Sequence, residues 1–181
     1  MNERERKRIS KFLSLVLRHQ PELIGLELDD SGWASVDALL AGCARQGRAI
    51  GREQLGEVVA TNSKQRFAFS DDGRRIRASQ GHSVEVELGY QASEPPTELF
   101  HGTVADALEA IRETGLEKMS RHHVHLSPDC QTATQVGGRR GRPIVLVVRA
   151  RDMAAAGHVF YRSANGVWLT GYVPAGFIEF P

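Results

Sequence analysis

Apolar residues at Ile9, Phe12, Leu13, Val16 and Leu17 repeat at the i, i+3, i+4, i+7 and i+8 spacing of a single helix face. That spacing predicts a first helix, and Gln20-Pro21 should stop it, because the residue before a proline is driven out of the helical region. Arg18 and His19 then fall at the helix's C-terminal end, where the macrodipole favours cations. A second helix is expected after Trp33, with Val36, Leu39 and Leu40 apolar, and a third from about Arg52, with Leu55, Val58 and Val59. Next, Arg66-Phe67-Ala68-Phe69 and Arg75-Ile76-Arg77-Ala78 flank a Ser-Asp-Asp-Gly turn, the pattern of a β-hairpin in which Arg66 opens the first strand. Three helices followed by a hairpin predict a winged helix over residues 1–80.

Residues 81–96 carry a short alternating segment, Val84 to Leu88, and then turn Gly-, Ser- and Pro-containing up to Pro95-Pro96. They are expected to connect two domains, with one short strand of their own. The second domain, 97–181, reads as short strands with one or two helices. Leu99–Thr103 predicts a strand and 104–113 a helix ending before Gly115. His123–Leu126 alternates, and Ile144–Val148 is apolar throughout, as a central strand covered on both faces would be. Val167–Thr170 and Phe177–Phe180 add two more strands. The fold class expected is therefore α+β.

Composition narrows the function. Lys plus Arg number 23 and Asp plus Glu 22, which excludes a histone-like basic wrapper and an acidic tail protein. The balance is uneven along the chain: residues 1–80 hold 14 basic and 11 acidic side chains, and 81–181 hold 9 and 11. Any nucleic acid must therefore be met by a local patch. Two distant cysteines, Cys43 and Cys130, make neither a disulfide framework nor a zinc finger and point to a reducing, cytoplasmic compartment. The charged N-terminus has no signal-peptide pattern, and no apolar run is long enough for a membrane span.

Phosphate-loop, dinucleotide-fingerprint, nucleophile-elbow and HExxH motifs are all missing. GGRRGR at 137–142 precedes a strand instead of joining strand to helix, so it matches a phosphate-cradling loop only loosely. Five of the seven histidines lie within residues 82–125. His123 and His125 would share a strand face. With Arg121 beside them and no cysteine or carboxylate at ligand spacing, an anion suits them better than a metal. Arg18, Arg66, Arg121, Arg139 and Arg140 stand at element ends or on short strands; each alone would pass as a solvated cation. The basic hairpin at 64–77 would equally serve as a wing tracking phosphates.

Taken together and in order, ISKFLSLVLRH (9–19), GWASVDALL (32–40), KQRFAFS (64–70), IRASQGHS (76–83), LFHGT (99–103), MSRHHVHLS (119–127), GGRRGRPIVLVV (137–148) and RSANGVWLT (162–170) resemble the RNA 2′-phosphotransferase family of the KptA type, which acts on tRNA splice junctions. QGHS, HGT and HVHLS carry most of the specificity, and the motifs span nearly the whole chain. The resemblance implies an N-terminal winged-helix RNA-binding lobe and a C-terminal ADP-ribosyltransferase-like split-sheet lobe that takes NAD. It implies removal of an internal 2′-phosphate from RNA, with NAD consumed as co-substrate, no metal, and nicotinamide and ADP-ribose 1″,2″-cyclic phosphate as co-products.

By the same resemblance the catalytic set falls on Arg18, His19, Arg66 and Arg121. NAD contacts fall on His101, Gly102, Thr103, His125, Ser127, Arg140 and Asn165, with Gly102 expected to let the backbone approach the dinucleotide. The roles of His82 and Ser83 stay open, a lobe-interface role among them. The partner implied is RNA bearing an internal 2′-phosphate; neither a membrane nor an obligate protein partner is inferred. Two other readings remain: an ADP-ribosyltransferase that caps terminal phosphates of nucleic acids, and a non-enzymatic winged-helix regulator with a nucleotide-sensing lobe.

Overall fold

The computed structural model describes residues 1–62, 64–86 and 88–181. The chain divides into two compact units, Met1–Gly89 and Tyr90–Pro181. Helix and strand are mixed throughout, as an α+β chain requires.

In the first unit, α1 (Glu3–Arg18) begins on Asn2, whose side chain accepts the Glu5 amide at 2.8 Å. The stripe Ile9, Phe12, Leu13, Val16 and Leu17 is buried as its spacing predicts. A 3-10 turn at Pro21–Ile24 follows, and then β1 (Ala34–Ser35), too short for alternation to reveal. Ser35 caps α2 (Val36–Arg45), and the Gln54 side chain accepts the Gly51 amide at the start of α3 (Arg52–Ala60). The hairpin is present as β2 (Phe67–Phe69) and β3 (Arg75–Ala78), with Gly73 at φ 66° in its turn. Arg66 does not open the strand; it stands just ahead of it. The sheet order is β1-β3-β2, antiparallel, and Phe67, Ile76 and Ala78 join the helices in one core.

The expected strand at 84–88 is absent among the described residues, and Glu87 lies outside them. The amides of Ser83 and Val84 instead donate to the Arg18 carbonyl at 2.9 and 3.4 Å, satisfying an acceptor that α1 leaves open at its end. His82 and Val86 are buried within the first unit, and side-chain atoms of His82, Val86 and Leu88 lie within 4 Å of where a Cβ on Gly32 would stand.

The second unit is built on two three-stranded antiparallel sheets. In chain order its elements are β4 (Leu99–Thr103), α4 (Leu108–Thr114), β5 (Leu116–Glu117), β6 (Val124–Leu126), α5 (Cys130–Gly137), β7 (Ile144–Val148), α6 (Ala150–Ala155), β8 (Phe160–Arg162), β9 (Trp168–Thr170), β10 (Tyr172–Val173) and β11 (Ile178–Glu179). One sheet runs β11-β7-β4 and the other β6-β9-β8, while β10 pairs with β5. Phe100 and Ser127 exchange backbone hydrogen bonds at 2.8 and 2.9 Å and so tie the β4 edge to the end of β6. β7 is central, as expected, but only Leu146 and Val148 are fully buried; Ile144, Val145 and Val147 are half-covered. The unit has three α-helices among the described residues, one more than the sequence suggested.

Helix α5 lies against β4 at a distance that only glycine permits. A Cβ on Gly102 would stand 1.8 Å from the Ala133 carbonyl oxygen and 2.7 Å from the Gly137 nitrogen. The close approach that Gly102 permits here is to the backbone of α5. Both cysteines are free: Cys43 is buried inside α2, and Cys130 is exposed at the start of α5. Among the described residues, no helix is long and apolar enough to cross a membrane.

Candidate active site

Within the first unit, the end of α1 and the start of β2 bring three of the sequence-selected residues together. The Arg18 Nη2 donates to the Arg66 carbonyl at 3.3 Å, and the Arg18 guanidinium sits 6.0 Å from the centre of the Phe67 ring. Arg66 is half-buried. Its Nη1 donates to Asn62 Oδ1 at 3.2 Å, which fixes the plane of the guanidinium. His19, the C-cap of α1, is exposed, with Nδ1 2.9 Å from Ser83 Oγ. Two guanidinium groups and an imidazole thus lie at the end of one helix and just ahead of one strand. Cations there complement the helix dipole and leave a surface suited to an anion with several oxygens.

Within the second unit, His101 occupies the middle of β4, with Nδ1 3.2 Å from the His125 carbonyl oxygen. Burial pushes its pKa below the ordinary 6.5 against the opposing pull of the His125 carbonyl, and the charges of Arg140 and Arg121 add to the lowering. His125 lies on β6 with Nδ1 3.0 Å from the His123 carbonyl oxygen. His123 stands just ahead of the strand and packs edge-on against Tyr90 and Tyr161.

Arg121 is held below its ordinary guanidinium value by desolvation and then by the charges of Arg140 and Arg139. Those two arginines follow the end of α5, in the glycine-rich segment before β7. The charges of Arg140 and Arg121 thus bear on His101, and those of Arg140 and Arg139 on Arg121, a like-charge concentration that suits an anion. Ser127 is placed by its backbone exchange with Phe100, and Thr103 is buried at the end of β4. Asn165 sits in the β8–β9 turn, where Ser163 Oγ donates to its Oδ1 at 2.7 Å. No cluster of three or more potential metal-ligating side chains forms among the described residues.

The family model for "RNA 2'-phosphotransferase, Tpt1 / KptA family" matches residues 4–172. The chain belongs to the RNA 2′-phosphotransferase family. A relative from Streptomyces coelicolor named "Probable RNA 2'-phosphotransferase" is 56% identical over 181 residues, covering 100% of this chain and 98% of the relative. Relatives of the same name from Pseudomonas paraeruginosa and Flavobacterium johnsoniae are 58% and 54% identical, over 94% and 99% of this chain and the same shares of their own lengths.

Sequence reasoning left two contributors unassigned. Asn62 holds the Arg66 guanidinium, and its only sequence signal is its place four residues ahead. Ser83 meets His19 across 64 positions of chain, a contact that no local pattern encodes.

Proposed function

We propose that this protein removes an internal 2′-phosphate from RNA in two steps, with NAD as a consumed co-substrate and tRNA splice junctions as the substrate type. In this reading the first unit, a winged helix, receives RNA, and the second, ADP-ribosyltransferase-like, receives NAD through His101, Gly102, Thr103, His125, Ser127, Arg140 and Asn165. Arg18, His19, Arg66 and Arg121 act on the phosphate. The observation that carries the reading is the arginine content of both candidate regions in a chain of this family.

The chemistry explains why arginines suffice. In step one a 2′-phosphate oxygen bonds to the ribose carbon bearing nicotinamide, whose bond to the ring nitrogen breaks; nicotinamide leaves neutral with the electron pair. The nucleophile is already an anion and the leaving group needs no proton, so neither a base nor an acid is required. The difficulty is holding a phosphate beside a pyrophosphate, which permanently charged, planar guanidinium forks can do. In step two the neighbouring ribose hydroxyl oxygen bonds to phosphorus and the bond from phosphorus to the RNA 2′-oxygen breaks. His19 gives that oxygen a proton, the attacking hydroxyl loses its own to water, and arginines stabilise the charge at phosphorus.

The test is incubation of 2′-phosphorylated RNA with the protein and NAD, measuring nicotinamide and the masses of both products. The expected result is RNA lighter by one phosphate together with ADP-ribose cyclic phosphate. Nicotinamide release with the 2′-phosphate retained would indicate a capping ADP-ribosyltransferase, and no release at all a nucleic-acid-binding regulator. Two further outcomes are expected in the same assay. Turnover should persist in excess EDTA; if chelation abolished it and magnesium or zinc restored it, the arginine account would fail. His19→Ala and Arg121→Ala should each slow step two more than step one, so that ADP-ribosylated RNA accumulates under single-turnover conditions. Equal loss in both steps would argue against separate roles.

A further inference from the structure

The QGHS segment at 80–83 is unused by the reading above, yet it is anchored with unusual care. Gly81 turns the chain at φ 83°, a conformation costly for other residues. His82 is buried to 2% exposure beside Gly32, where an added Cβ would come within 3.5 Å of its Nε2. The Ser83 amide donates to the Arg18 carbonyl at 2.9 Å. These three features bring the exposed Ser83 hydroxyl to 2.9 Å from His19 Nδ1. His19 itself has left the helical conformation at φ −128°, so helix geometry alone does not aim its ring.

We infer that Ser83 is a positioning residue for His19: its Oγ accepts the Nδ1–H of the charged imidazole and so presents Nε2–H to the departing 2′-oxygen. The inference rests on the role proposed above for His19. The two ring nitrogens point apart, so anchoring one decides the direction of the other. A hydroxyl is suited to this, since it accepts from the charged ring without neutralising it as a carboxylate would. The proton balance of step two is unchanged: His19 gives one proton to the 2′-oxygen, the attacking hydroxyl releases one to water, and His19 is recharged from solvent. Ser83 exchanges none.

The test compares Ser83→Ala and Ser83→Thr in the full chain, with single-turnover rates for both steps and ¹⁵N spectra of the His19 ring in the free protein. Ser83→Ala should slow step two about tenfold, the order of one charge-assisted hydrogen bond, with step one near wild type. Ser83→Thr keeps the hydroxyl and should restore the rate. The ring nitrogen signals should move in the Ala variant and hold in the Thr variant. In a His19→Ala background, adding Ser83→Ala should change nothing further, because the partner is already gone.

Equal slowing of both steps, additivity with His19→Ala, or a Thr variant as slow as Ala would overturn the inference. If His19→Ala itself left step two intact, the functional reading of His19 would fall, while the ring spectra would still decide whether Ser83 holds it.

Discussion

Gly102→Ala should unfold or severely loosen the second unit. The new methyl would sit 1.8 Å from the Ala133 carbonyl oxygen, 2.7 Å from the Gly137 nitrogen and 2.8 Å from the Ala133 carbonyl carbon. All three are backbone atoms, so no side chain can rotate away. Relief requires α5 to move off β4 as a body. Ordinary overpacking costs roughly 1–3 kcal/mol, and a rigid clash of this depth should exceed it, at about 4 kcal/mol or more. For a unit of this size that corresponds to a fall in Tm on the order of 15–30 °C. Displacing α5 would also displace Arg139 and Arg140, which follow its end, so activity should vanish with order. Gly56→Ala is the control. It lies mid-helix in α3 with open space at the Cβ position, and should raise stability by about 0.5–1 kcal/mol. A Gly102→Ala protein melting within a few degrees of wild type would show that α5 and β4 are not in this contact.

Arg66→Lys should slow the single-turnover reaction without loosening RNA binding. Arg66 precedes β2, whose alternation buries Phe67 and sends Arg66 to the opposite face. Asn62 accepts one of its five N–H donors and so sets the guanidinium plane. A lysine keeps the charge but loses both the plane and the second parallel hydrogen bond. A hydrogen bond to a charged group is worth roughly 1.5–3 kcal/mol. At about 1.4 kcal/mol per decade, the rate should fall on the order of ten- to a hundredfold. Binding of the same RNA lacking its 2′-phosphate should hardly change. If Arg66 only tracked the RNA backbone, Lys would serve nearly as well and both forms would depend steeply on salt. A near-wild-type rate in the Lys variant would remove Arg66 from the catalytic set.

The elements legible in the sequence were those that bury large apolar side chains at regular spacing. α1 declared itself through five such residues, and β7 through a continuous apolar run. α5 did not, because it packs through Ala133 and Gly137 while Val136 faces outward. A helix seated on small residues leaves no hydrophobic stripe to read. The opposite error occurred at 84–88, where alternation suggested a strand that is absent among the described residues; the amides of Ser83 and Val84 meet the Arg18 carbonyl instead. The site was legible in its residue types and not in its contacts. Arg18 and Arg66 are 48 positions apart and His19 and Ser83 are 64 apart, and only the fold makes each pair neighbours.

The two thiols make the molecule self-reporting under alkylation. Cys43 is 0% exposed, and burial raises its pKa, so both the access and the thiolate that a reagent needs are withheld until α2 opens. Cys130, on the surface at the start of α5, reacts from the outset. A pulse of iodoacetamide followed by intact mass therefore separates molecules carrying one adduct from those carrying two. The ratio counts how often the first unit breathes, with the exposed thiol serving as an internal standard for reagent strength in the same tube.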